Sequence, residues 1–367
     1  MANGKLGVGI IGVQPERSWA AVAHIPALQA LPGFEVTALS TTRIESARAA
    51  GEAYGVAHCY DNHRDLVNDP DVDVVAVTVK VPHHRELVFA ALDAGKHVYC
   101  EWPLGNGLDD ARAIAERARG SQARCVIGLQ ARFSPEILHV QKLIADGYVG
   151  RVLSTTLLAS GLVWGPMIDT ANAYTMDRSN GATMLSIPMG HSLDAVAACL
   201  GELNEVSAQM DVLQSDFLNV ETGEHGIKTS PDQVAFTGTL ASGATMACHY
   251  RAGACRGTNL LWEINGTEGD IQVTGMGGHM QMLDLTVSGG RGDAQALAPL
   301  PTPAELRTVP VGLAGPALNV AQVWQAFADD LATGSRKTFD FDQAVQRHTL
   351  LAAIERSAAH GNKEKVQ

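Results

Sequence analysis

Gly12 follows an apolar, β-branched run, Leu6-Gly7-Val8-Gly9-Ile10-Ile11, and precedes a stretch from Trp19 to Leu31 with apolar residues at helical spacing. A short buried strand, a glycine turn and a helix N-terminus make an anion site, because unsatisfied backbone N–H groups and the helix dipole converge on the turn. In a dinucleotide-binding fold the pyrophosphate sits there. The usual G-x-G-x-x-G spacing is absent: Gln14 stands where the second glycine would, and Pro15-Glu16-Arg17 lengthens the turn. The competing reading is an ordinary strand–helix turn. A second strand, Phe34 to Leu39, carries Ser40-Thr41-Thr42-Arg43 at its carboxyl end. An acid there would accept hydrogen bonds from a free ribose 2′-OH and repel a 2′-phosphate. Hydroxyls and an arginine stand there instead, so Ser40, Thr42 and Arg43 favour NADP over NAD. The alternative is that Thr42 only caps the helix starting near Arg43.

A second concentration of polar chemistry lies between Trp164 and Gly181, an irregular stretch with Trp164, Asp169, Asn172, Tyr174, Asp177, Arg178 and Asn180. Aromatic rings cover the apolar faces of a sugar while polar tips meet its hydroxyls. Trp164, Asp169, Asn172 and Tyr174 are therefore candidate contacts for a hydroxylated small molecule. A surface loop with buried anchors is the plain alternative.

The elements that must position these residues alternate in the first half of the chain. Strands at Asp73 to Val79, Lys96 to Cys100 and Arg124 to Leu129 are separated by helices at Arg85 to Ala94 and Leu108 to Arg119. This alternation predicts a doubly wound, Rossmann-type parallel sheet. Its ligands lie at the strands' carboxyl ends, which carry Gly12, Ser40, Lys80, Glu101 and Gln130. The second half reads as α+β. A helix from Ser134 to Asp146 and a strand from Arg151 to Ala159 come first, then a helix from Ala182 to Leu200 bearing His191 and Asp194. β-patterned runs follow at 205–213, 233–240, 245–250, 260–264, 270–274 and 281–287, with Gly243 and 266–269 as turns, giving a mostly antiparallel, open-faced sheet. Arg291 to Pro316 reads as an extended connection, and helices run from Asn319 to Leu331 and from Asp342 to Ala358. The expected domains are 1–131 and 132–367.

The 367 residues, 46% hydrophobic and 18% charged, suit a soluble protein with two substantial cores. A net charge of −12 with no basic cluster argues against nucleic acid. No apolar stretch is long enough for a membrane span, and Met1-Ala2-Asn3-Gly4-Lys5 leads straight into a strand, which speaks against a signal peptide. The six cysteines show no C-x-x-C spacing and read as reduced packing residues of a cytoplasmic protein. The 13 histidines include His83-His84 but no metal-binding spacing.

Gly9-Ile10-Ile11-Gly12, together with Ala91-Leu92-Asp93-Ala94-Gly95-Lys96-His97-Val98-Tyr99-Cys100-Glu101-Trp102-Pro103-Leu104, resembles the glucose–fructose oxidoreductase/inositol dehydrogenase/MocA family. The longer first turn, Glu-Trp in place of the usual Glu-Lys, and Gly128-Leu129-Gln130-Ala131-Arg132-Phe133-Ser134-Pro135 are most like the branch of the fungal galactose-regulon repressor. The resemblance implies a nicotinamide coenzyme touching Gly12, Gln14, Ser18 and Trp19 in the first turn. It extends the contacts to Val79 and His84, and to Glu101, Trp102, Gln130 and Arg132. It also implies an open sheet face that pairs subunits into a homodimer or homotetramer. In catalytic members a lysine, an acid and a histidine flank the substrate carbon; here those positions are Trp102, Ile187 and His191. Tryptophan only donates a hydrogen bond and cannot shuttle a proton. His191 is then the candidate proton acceptor and donor, with Asp194 at i+3 to orient it and Tyr174 and Lys80 as further candidates. The expected function is an NAD(P)-dependent oxidoreductase of a sugar, polyol or related compound. The alternative is a non-catalytic nucleotide or sugar sensor.

Overall fold

The computed structural model describes residues 4–15 and 17–366; Glu16, in the lengthened first turn, lies outside them. Two compact units emerge. One runs to Gln130 and takes back Arg307–Gln346, and the other comprises Ala131–Leu306 and the chain from Arg347 onward. Residues 307–346, placed in the second domain by the sequence reading, thus lie with the first unit.

The first unit is built on β1 (Leu6–Ile11), β2 (Phe34–Ser40), β3 (His58–Tyr60), β4 (Val74–Val77), β5 (His97–Glu101) and β6 (Cys125–Gly128). They form a sheet in the order β3-β2-β1-β4-β5-β6, every pair parallel. This is the doubly wound order, and its direction reverses between β1 and β4, where the carboxyl ends leave a crevice for a ligand. Helices α1 (Ile25–Ala30), α2 (Ile44–Tyr54), α3 (His63–Val67), α4 (His84–Asp93) and α5 (Leu108–Arg119) connect the strands. The helix after β1 begins with a π-turn at Ala20–His24 before α1, where Pro26 has no N–H to return to the preceding turn.

In the second unit, α6 (Pro135–Ala145) is capped by Ser134, whose Oγ accepts from Ile137 N at 3.2 Å. The loop after β7 (Val152–Ser160) includes β8 (Met167–Ile168), and α7 (Gly190–Leu200) is preceded by a π-turn at Leu185–Met189. Pro188 cannot donate to the Met184 carbonyl, which instead takes the N–H of Met189 at 3.2 Å. The displaced turn sits directly ahead of His191. Further strands are β9 (Leu203–Asp211), β10 (Asp216–Asn219), β11 (His225–Ile227), β12 (Gln233–Leu240), β13 (Thr245–Arg251), β14 (Leu260–Gly266), β15 (Gly269–Gly275), β16 (Leu285–Arg291) and β17 (Ala298–Pro299). With β18 (Glu364–Lys365) they give a nine-stranded sheet, β17-β16-β15-β14-β7-β13-β12-β9-β18, antiparallel except for β13 on β7. One face buries Leu157, Phe236, Met246, Tyr250, Trp262 and Val273. The other carries Thr156, Leu158, Thr237, Ala247 and His249 around a shallow hollow.

Several boundaries differ from expectation. The run at 281–287 begins as a turn, with Met282 N and Leu283 N on the His279 carbonyl, so β16 starts at Leu285. β10 and β11 pair with β8 in a small separate sheet that the sequence reading missed, since Asp and Asn are poor strand formers. α8 (Gly315–Thr333) starts earlier than expected, with Pro316 in its first turn, where a missing N–H costs nothing. α9 (Phe341–His360) completes the chain's helices among the described residues, and none is long and apolar enough to cross a membrane.

Candidate functional site

At the end of β1, Gly12 has φ +103°, and a Cβ there would meet Val79 Cγ1 at 2.6 Å and the Thr78 carbonyl oxygen at 3.1 Å. Only glycine permits this close approach of the two strand ends. Thr78 ties them further, its N–H and its hydroxyl both donating to the Ile11 carbonyl at 3.1 and 2.8 Å. Val79 is therefore a packing residue of the turn.

The lengthened turn closes on itself. Ser18 Oγ donates to the Gln14 carbonyl at 2.9 Å and accepts from Gln14 N at 2.9 Å and Ala21 N at 3.2 Å. The Gln14 N–H and carbonyl and the Ser18 hydroxyl are thus used inside the turn. Trp19 behaves differently, because its indole Nε1 is buried and has no hydrogen-bond partner among the described residues. At the end of β2, Ser40 is buried, Thr42 and Arg43 are exposed, and α2 has no side-chain cap. The local turn is instead made by Thr41, whose hydroxyl donates to the Arg43 carbonyl at 2.8 Å. Arg43 Nη2 donates to Ser46 Oγ at 3.3 Å.

His84 is not a coenzyme contact. Its ring is buried, with Nδ1 at 2.9 Å from the Pro103 carbonyl and Nε2 at 3.0 Å from the Val79 carbonyl, so it braces two loops. Burial pushes its pKa down, outweighing those carbonyls. Lys80 is exposed and opens the short turn at Val81–His83.

Glu101, the last residue of β5, lies in a buried network absent from the sequence reading. His24 Nε2 is 2.7 Å from Glu101 Oε1, and Gln130 Nε2 is 2.8 Å from both carboxylate oxygens. Behind His24, the Trp324 indole donates to His24 Nδ1 at 3.2 Å, and the same indole stacks on Tyr99 with centroids 4.7 Å apart. Gln130 Oε1 is buried and unpartnered, and Trp102 beside Glu101 is only 5% exposed. Away from these strand ends, His58, Asp69 and Asp71 bring three possible metal-ligand atoms within 4.8 Å of one another. Asp69 there already holds His58 Nδ1 at 2.6 Å and the Tyr60 hydroxyl at 3.0 Å.

In the second unit, His191 is 3% exposed and its Nδ1 has no partner. Burial, with His279 nearby, pushes its pKa down to about 3. His279 stacks on Trp164 (6.1 Å between centroids, 15° between planes), its Nε2 2.6 Å from the Gly161 carbonyl and its Nδ1 3.3 Å from Gln281 Nε2. Trp164 is only 3% exposed and anchored through Nε1 to the Ala182 carbonyl, while its own carbonyl accepts from buried Lys228 Nζ at 2.9 Å. Those anchors hold it at φ +62°, with Leu162 at φ +61°, both costly for residues bearing a Cβ.

The structure gives several of these side chains protein partners of their own. Asp194 does not orient His191: it is fully buried and grips Arg132 through Nε at 2.6 Å and Nη2 at 2.7 Å. That bidentate fork takes the guanidinium away from the coenzyme or substrate role given to Arg132. Asp169 and Asn172 hold each other, the carboxylate accepting the Asn172 backbone and side-chain N–H groups at 2.9–3.1 Å. An Asp followed three residues on by an Asn, both able to bond locally within a turn, was the available signal. Tyr174 is half-buried, and burial raises its pKa, so the phenol remains a donor.

The comparisons agree with the two-unit layout. The family described as oxidoreductases with an NAD-binding Rossmann fold matches residues 6–129, and the Gal80p C-terminal domain matches 135–275. Dehydrogenase aclE of Aspergillus oryzae is 34% identical over 252 residues, covering 66% of this chain and 68% of that protein. The galactose/lactose metabolism regulatory protein GAL80 of Saccharomyces cerevisiae is 26% identical over 313 residues, covering 79% and 72%. In fold, the chain is similar to a super-repressor mutant of Gal80p from Saccharomyces cerevisiae, with TM-score 0.88, 22% identity and 99% and 98% coverage. It is similar as well to levoglucosan dehydrogenase in complex with NADH and levoglucosan, with TM-score 0.85, 22% identity and 99% of each chain.

Proposed function

This chain belongs to the glucose–fructose oxidoreductase/inositol dehydrogenase/MocA oxidoreductase family, and we propose that it is a nicotinamide-dependent oxidoreductase of a CH–OH group in a sugar, polyol or related compound. The carboxyl edge of the first sheet carries this reading. There stand the Gly12 turn after β1, an acid-free β2 end, and two buried polar atoms without a hydrogen-bond partner among the described residues, Trp19 Nε1 at the following helix start and Gln130 Oε1 after β6. Buried polar atoms are rarely left unpaired, and a coenzyme's amide and hydroxyl groups would satisfy them. When bound, such a coenzyme supplies the hydride acceptor or donor.

The chain's own residues divide the remaining work. Ser40, Thr42 and Arg43 favour NADP, with NAD as the second choice. Replacing Arg43 with alanine is expected to weaken NADPH binding about tenfold, the order of one charge-assisted contact. NADH binding should stay unchanged, and an equal loss for both coenzymes would remove the preference. His191 is a neutral ring whose Nδ1 accepts a hydrogen bond from a substrate hydroxyl. With a pKa near about 3 it orients that hydroxyl and stores no proton at rest. Tyr174 and Lys80 remain the candidates for proton delivery. A second copy pairs through the open sheet face of Thr156, Leu158, Thr237 and Ala247, and six unpaired cysteines suit a cytoplasmic setting.

Trp102, Ile187 and the low basicity of His191 favour a second reading, a nucleotide-bound sensor without turnover. The test titrates the purified protein with NADPH and NADH by fluorescence, then follows nicotinamide absorbance across a panel of sugars and polyols. Binding with turnover on at least one compound supports the enzyme. Binding with no change on any compound supports the sensor, and no binding of either coenzyme overturns both.

A further inference from the structure

The Trp324–His24–Glu101–Gln130 network determines a charge. An indole N–H only donates, so the His24 nitrogen facing it must accept, and the ring proton lies on Nε2, directed at Glu101. The Gln130 amide nitrogen also only donates. A proton on Glu101 would therefore meet no acceptor, and a second proton on His24 would face the indole N–H. The arrangement that satisfies every contact is a carboxylate beside a neutral imidazole. No lysine or arginine pairs with Glu101 among the described residues, and its side chain is 10% exposed. A mostly buried charge held by neutral donors, with no lysine or arginine ion-paired to it among the described residues, keeps a longer electrostatic reach than an exposed one. Its neighbours register it: burial first, and then the Glu101 charge, raises the pKa of Tyr99 and Cys100.

We infer that Glu101 biases a bound nicotinamide toward its oxidised, pyridinium form, since that form is cationic at the ring and the reduced form is not. The inference rests on the coenzyme reading proposed above. It also supplies a role for Glu101 independent of proton transfer, in a chain where the adjacent position is Trp102.

The test compares dissociation constants of oxidised and reduced coenzyme, NADP+ against NADPH and NAD+ against NADH, for the intact protein and for Glu101→Gln. The unaltered protein should bind the oxidised form at least as tightly as the reduced form. Glu101→Gln should shift the ratio about tenfold toward the reduced form, the order expected for removing one poorly screened charge. His24→Ala removes a donor and keeps the charge, so its ratio should stay on the oxidised side. Tighter binding of the reduced form by the unaltered protein overturns the inference, and that measurement needs no variant. An unchanged ratio in Glu101→Gln, or an equal shift in His24→Ala, overturns it too. Failure to bind any coenzyme form is a different outcome, and sinks the underlying function as well.

Discussion

Replacing Asp194 with alanine is expected to destabilise the second unit by about 3–5 kcal/mol, the cost of stripping one partner from a buried charge cluster. Asp194 is fully buried and takes the guanidinium fork of Arg132 on both oxygens, while Arg347 Nε lies 3.6 Å from Oδ1, the oxygen that Arg132 Nη2 holds. Arg347 is itself 2% exposed and bonds outward to Glu202. Without Asp194, the Arg132 guanidinium loses both contacts of its fork, and buried Arg347 keeps only Glu202 on its outward side. Denaturant unfolding, followed by a probe in the second unit, measures the loss. A combined replacement of Asp194 by leucine and Arg132 by methionine should recover part of it, since an apolar pair carries no stranded charge. A loss below about 1 kcal/mol for alanine would mean that the cluster is solvated and weak.

The second large effect is acid sensitivity. An unfolded histidine takes up its proton near 6.5, whereas buried His191 resists protonation until about 3. Between those values the unfolded chain binds more protons than the folded one, so falling pH favours unfolding. The loss begins as pH drops through 6.5 and grows by about 1.4 kcal/mol per pH unit for one such histidine. His279 acts in the same direction, because burial depresses its pKa and its ring sits between the Gly161 carbonyl and Gln281. Melting temperature should therefore fall on going from neutral to mildly acidic pH. His191→Gln, which cannot titrate, should flatten that fall by about one histidine's share. An unchanged slope in the variant would show that His191 is already protonated when folded, or reaches water.

Much of the scaffold was legible in local pattern. The helix at Leu108–Arg119 and the strand at Gln233–Leu240 occur at the predicted residues, since side-chain periodicity within one element reports which face is buried. The alternation of the first half predicted the parallel sheet, and Gly12 marked its crevice through a backbone requirement written in one residue. The replacements at Trp102 and Ile187 were equally plain, because they are identities and need no geometry.

What each side chain does was decided elsewhere. Glu101 read as a coenzyme contact and His24 carried no reading at all; they meet across 77 positions, and Trp324 reaches His24 across 300. Asp194 is one turn from His191, yet its partner is Arg132, 62 positions away. A sequence records which groups exist and how they repeat along an element. Hydrogen-bond direction, charge pairing and the depth that shifts a pKa depend on which distant segments pack together. The sequence by itself therefore determined the sheet, its glycine turn and the missing lysine. Only the tertiary structure decided that Glu101 is a held carboxylate, that Asp194 is a clamp, and that His191 is a neutral ring.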